Sequence, residues 1–90
     1  MLNITDVRIR ITNKEDSALR GIANVTIDDC FAVHDIKILE GSKGLYIRMP
    51  SRKTPEGDYK DIAHPTNNET RDALAKIIIA KYEAEKANQE

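Results

Sequence analysis

Four of the fourteen cations of this 90-residue chain, Arg48, Arg52, Lys53 and Lys60, fall in one stretch, RMPSRKTPEGDYKDIAHP (residues 48–65), among three prolines and a glycine. Residues 43–60 carry Lys43, Arg48, Arg52, Lys53 and Lys60 against only Glu56 and Asp58, in a protein whose formal net charge is -1. Arginine can fork onto a phosphate or the edge of guanine and lysine offers a point charge, so such a cluster suits an anionic backbone. Cations on exposed strands also discourage edge-to-edge aggregation, and a proline such as Pro50 does the same. On residue chemistry alone both accounts stay open, with the protective one ahead.

The turn chemistry of the stretch fixes how these cations meet. In TPEGD, Pro55 presets φ for the first central position, Glu56 tolerates the second, and Gly57 supplies positive φ at the next. This is a type I turn with a glycine bulge, which folds strands of about Leu45–Lys53 and Asp58–His64 against each other. Arg52 then lies opposite Lys60 and Arg48 opposite His64, all on one face. Like charges placed opposite one another are unfavourable, and an anionic partner or a nearby carboxylate relieves them.

Other reactive side chains form no working set. Cys30, His34 and Asp35 invite a nucleophile or acid–base assignment, but adjacent strand residues point to opposite faces. They are expected to mark a structural kink beside a small buried Cys30. Asp61 and His64 fail for the same reason, as an odd and an even position of one strand. With two histidines, one cysteine and no HxH, HExxH or paired cysteines, no metal site is expected. No glycine-rich loop opens a helix, so a nucleotide has no cradle. The expectation is a non-enzyme with no cofactor, no metal and no small-molecule substrate.

The positioning elements follow from hydrophobic periodicity. NITDVRIRITN places Ile4, Val7, Ile9 and Ile11 on one face and Arg8 and Arg10 on the other, and LRGIANVTIDD follows the turn NKEDS with Ile22, Val25 and Ile27 as its apolar positions. These two predict a hairpin. FAVHDIKILEG has Phe31 and Val33 at odd positions but Ile36 and Ile38 at even ones, a slip that a one-residue bulge at His34 and Asp35 absorbs. EGSKG is a turn, and LYIRM a fourth strand. After Pro65, Leu74, Ile77, Ile78 and Tyr82 keep the spacing of one helix face, with Thr66 and Glu69 as a capping box. Arg71, Lys76, Lys81 and Lys86 recur every five residues and wind around the cylinder, so the helix has no basic stripe. The fold class is α+β: a mostly antiparallel four- to five-stranded sheet, a meander of hairpins, followed by a C-terminal amphipathic helix. Residues 1–90 form a single domain, 1–65 the sheet region and 66–88 the helix.

Composition narrows the setting. Fourteen basic residues against fifteen acidic ones exclude a global positive field, so any nucleic-acid role rests on a local patch. A lone cysteine excludes an intrachain disulfide and fits a reducing cytoplasm. Neither a signal sequence nor an apolar run of membrane-spanning length is present, so no membrane partner is expected. A chain this short buries a limited fraction of its surface, which favours self-association.

The segments EGSKGLYIRMPSRKTPEGDYKDIAHP, ITDVRIRI and VTIDDCFAVHDIKILEG resemble the stage V sporulation protein G family of small bacterial septation regulators, to about residue 66. The resemblance implies a cytoplasmic homodimer that binds DNA and RNA and modulates septation, sporulation and other gene programmes. It turns the balance toward Arg48, Arg52, Lys53, Lys60 and, at the start of the helix, Arg71 as nucleic-acid contacts. The alternative is a protein-interaction module of the division machinery that touches no nucleic acid.

Overall fold

Alternation and turn chemistry resolve the first two thirds of the chain into strands in the computed structural model, which describes residues 3–12 and 17–89. The strands are β1 (Ile4–Ile11), β2 (Leu19–Ile27), β3 (Phe31–Gly41), β4 (Gly44–Arg48), β5 (Ser51–Lys53) and β6 (Tyr59–Asp61), and one helix follows, α1 (Asn68–Gln89). β1 to β4 form an antiparallel meander in sequence order, while β5 and β6 form a separate two-stranded sheet. The α+β class holds. The expected NKEDS turn lies, but for Ser17, outside the described residues.

The bulge expected from the phase slip is present. Ala23 pairs with Ile36 and Val25 with Val33, so His34 and Asp35 together face the single residue Asn24. Asp35 takes positive φ (64°), a conformation that aspartate tolerates better than most, and its N–H donates to the Asn24 Oδ1 at 3.1 Å. A second bulge at Thr5 shifts β1 by one residue, which is how Ile4 joins the face of Val7, Ile9 and Ile11. Asp28 and Asp29, both at positive φ, make the turn from β2 into β3, closed by the Cys30 N–H on the Ile27 carbonyl at 3.1 Å. Cys30 is exposed there, not buried as expected, because the turn carries it clear of both layers.

One face of the meander is covered by α1, which packs chiefly against β1 and β4 at the sheet's two edges and so lies across its middle. Ala23, Val25, Ile36 and Ile38 below meet Leu74, Ile78 and Tyr82 above, all nearly solvent-free. The inward positions of β2 differ from expectation: Gly21, Ala23 and Val25 face the helix, and Ile22 faces away. Small residues are required there. A Cβ on Gly21 would come within 3.4 Å of the Tyr82 ring and 3.2 Å of the Arg10 carbonyl, so the ring reaches the backbone only over glycine. Ile77, expected in the core, is 41% exposed at the margin of the buried stripe.

The helix begins one residue later than the capping box proposes. Asn67 accepts the Thr70 N–H through its Oδ1 at 2.7 Å and the Arg71 N–H through its carbonyl at 3.2 Å, so Asn67 and not Thr66 is the N-cap. Asn67→Ala is expected to remove about 1 kcal/mol, and for a domain of this size to lower the melting temperature by about 4–8 °C. Thr66→Ala is expected to leave it nearly unchanged. Thermal melts followed by circular dichroism check both, and equal effects would refute the cap assignment.

Candidate functional site

Proline decides where the cations go. Pro50 offers no N–H to a strand ladder, and the strand expected to run from Leu45 to Lys53 stops at Arg48 and resumes at Ser51 in another sheet. Arg48 therefore lies opposite Lys37 of β3, not opposite His64. The returning strand is also shorter than expected, with its last bond from the Ile62 N–H to the Pro50 carbonyl at 2.7 Å. His64 lies beyond it, its Nδ1 2.9 Å from the Pro65 carbonyl.

The turn between β5 and β6 has the expected form. The Gly57 N–H donates to the Thr54 carbonyl at 2.9 Å, the Thr54 N–H to the Asp58 carbonyl at 2.6 Å, and Gly57 sits at φ 93°. The Thr54 Oγ1 accepts a further bond from the Asp58 N–H at 3.2 Å. This framework sets the register that brings Arg52 directly opposite Lys60 and Lys53 opposite Tyr59. Arg52 and Lys60 thus share one face of the ribbon, and Lys53 shares the other with a Tyr59 ring that is 71% exposed. Among the described residues no carboxylate stands within ion-pair distance of Arg52, Lys53 or Lys60. Like charges meet here without internal relief.

Arg71 is exposed on the first turn of α1, and no hydrogen bond or ion pair among the described residues ties it to the hairpin. The structure therefore unites Arg52 with Lys60, leaves Lys53 on the reverse face, and places Arg48 and Arg71 on other elements. Later helix cations are dispersed, and Lys81 pairs with Glu85 at 3.4 Å. His34, Asp35 and Asp61 are all exposed, and no group of three metal-ligating side chains gathers among the described residues.

Two cations that the sequence reading left unassigned come together with Arg48. Arg10 pairs with Ile22, Ile22 with Lys37, and Lys37 with Arg48, so one row crosses all four strands of the meander. The signal was available in the alternation, since Arg10 and Lys37 each sit between inward-facing isoleucines, Ile9 and Ile11 or Ile36 and Ile38.

The family profile described as SpoVG matches residues 2–84. The chain belongs to the SpoVG family. The "Putative septation protein SpoVG" of Caldicellulosiruptor bescii is 62% identical over 92% of this chain and 93% of its own length. The proteins of the same name from Lachnospira eligens and Thermoanaerobacter are 57% and 51% identical, over 91% and 98% of this chain and 92% and 95% of theirs. The SpoVG family is named for septation and sporulation, not for a catalysed reaction.

Within this SpoVG-family hairpin, Gly57 is the testable joint. A Cβ at Gly57 would meet nothing, so Gly57→Ala reports backbone strain alone. The substitution is expected to cost about 1 kcal/mol at positive φ and to speed exchange of the β5 and β6 amide protons about fivefold. Amide exchange measured by NMR checks this, and unchanged protection would refute the turn's control of the register.

Proposed function

We propose that this SpoVG-family chain is a cytoplasmic nucleic-acid-binding regulator, and that its hairpin grips the phosphate backbone of DNA or RNA. The observation that carries this reading is the Arg52–Lys60 pair, two cations held face to face with no described carboxylate to relieve them. Opposed like charges weaken a short, isolated two-stranded ribbon, and a bound phosphate would turn that repulsion into attraction. Phosphate contacts position a protein on a nucleic acid without reading its sequence, so the hairpin supplies affinity more than specificity. A net charge of -1 confines the attraction to the patch.

Replacing Arg52 and Lys60 together with alanine is expected to weaken binding across all sequences. On duplex DNA the slope of log affinity against log salt should flatten by about 1.8, about 0.9 for each lost contact. Electrophoretic shifts at several salt concentrations measure this. Wild-type affinity and slope in the double variant, with loss of both in a Lys81→Ala, Lys86→Ala variant, would move binding to the late helix. Absence of any salt-dependent binding by the wild type would favour a protein-interaction module of the division machinery.

The same reading takes the chain as a homodimer. β4 pairs with Lys37–Gly41, so among the described residues no strand lies on the outer edge of β3 from Phe31 to Asp35, and Phe31 there is 64% exposed. Beside it an apolar hollow of about 450 Å³ runs between Val33, Met49 and Leu74. Unpaired edges of this kind accept another chain. Sedimentation is expected to give twice the 10.1 kDa chain mass at micromolar concentration, and Phe31→Asp to shift it toward monomer. A 10.1 kDa species alone in the wild type would refute the dimer.

A further inference from the structure

The face of the meander turned away from α1 carries the row Arg10–Ile22–Lys37–Arg48, whose register puts all four side chains on one side of the sheet. Its three cations are exposed, and no described carboxylate lies within ion-pair distance of them. Other cations nearby are engaged: Arg8 is held by Asp6 at 3.0 Å and Arg20 approaches Glu40 at 3.6 Å. Three strand spacings separate Arg10 from Arg48, about 14 Å. The row is long enough to hold more than one phosphate.

Next to it on the same face stands an aromatic ring. Tyr46 precedes Arg48 by two residues on β4 and pairs with Leu39. A Cβ on Gly41 would come within 3.0 Å of the Tyr46 Cε1, so the ring lies down in the space that glycine leaves open. It nonetheless keeps 45% exposure. An aromatic ring set against the backbone, with its outer side in solvent and cations beside it, is what a base needs to stack upon.

The geometry points to this open sheet face as a platform for single-stranded nucleic acid, with Tyr46 stacking a base and Arg10, Lys37 and Arg48 holding phosphates. This rests on the nucleic-acid reading above and adds a second surface with a preference for unpaired strands. The major groove of a duplex admits a helix or a two-stranded ribbon and the minor groove is narrower still, so a four-stranded face reaches few base edges of an undistorted duplex. Unpaired bases, by contrast, can splay onto a sheet and its aromatic side chains. A second copy of the same face is a poor occupant, because two-fold packing would set this cationic surface against itself.

The test uses fluorescence anisotropy of labelled oligothymidylate and oligouridylate of about 12 nucleotides, within the footprint of a small single-strand-binding domain, beside a labelled duplex. Arg10→Gln, Lys37→Gln and Arg48→Gln together are expected to flatten the single-strand salt slope by about 2, at about 0.7 per phosphate. Tyr46→Leu keeps Gly41 covered and is expected to weaken single-strand binding about tenfold while leaving duplex binding nearly unchanged. Loss of either single strand through this face supports the platform, and the stronger of the two names DNA or RNA. A triple variant that melts like wild type and binds both single strands with wild-type affinity and slope overturns the platform. If the Arg52→Ala, Lys60→Ala variant alone loses single-strand binding, only the platform falls. If the wild type binds neither single strands nor duplex, the nucleic-acid reading falls with it.

Discussion

Everything outside the core depends on how closely α1 can lie on the sheet. Gly21 and Ala23 on β2 supply the shallow floor, and Tyr82, Ile78 and Leu74 settle onto it with almost no exposed surface. Filling contacts of this kind are costly to vacate, since truncating a buried leucine or isoleucine to alanine removes about 2–5 kcal/mol. A single helix covers a single face. With about half of each strand's side chains committed inward, the alternation of the pleat sends Arg10, Ile22, Lys37 and Arg48 to the opposite face by necessity.

Pro50 is the second constraint. A continuous strand from Leu45 to Lys53 would have kept Arg48 and Arg52 on one surface, since they are four residues apart. The break instead leaves Arg48 on the four-stranded sheet and carries Arg52 onto a small ribbon with Lys60. One cluster in the sequence becomes two surfaces in space. Each contains cations with no described ion-pair partner and each presents an aromatic ring, Tyr46 on the sheet and Tyr59 on the ribbon, although Tyr59 shares the ribbon face of Lys53.

Local chemistry was the legible part of the sequence. The bulge at His34 and Asp35 showed itself as a change of parity, and the TPEGD turn was specified residue by residue through Pro55 and Gly57. The less legible features arise from interactions between elements. Ile22 looks like a core residue by hydropathy, but the helix needs glycine and alanine beneath Tyr82, so β2 presents its odd positions and turns Ile22 out. Thr66 and Glu69 match a capping box in spacing, yet Asn67, one residue on, holds the cap and shifts the register of the first turn. Arg10 and Lys37 were visible as outward positions, but their meeting with Arg48 depends on pairings across four strands.

The separation of the two basic surfaces bears on how a protein of net charge -1 could hold a polyanion. Screening at physiological ionic strength limits charge interactions to about 8 Å, so distant carboxylates such as those of the late helix do little to cancel a local row of cations. A patch then acts by its own composition, and the overall charge chiefly limits long-range capture. On the proposed reading the consequence would be an interaction that forms at contact distance and is strongly salt-dependent, with little electrostatic steering from afar. Two such patches on one chain, joined by the short Met49–Pro50 link, would raise the effective concentration of the second contact once the first has formed. The same break that shortened the strand could in this way let a ribbon and a sheet engage one nucleic acid together.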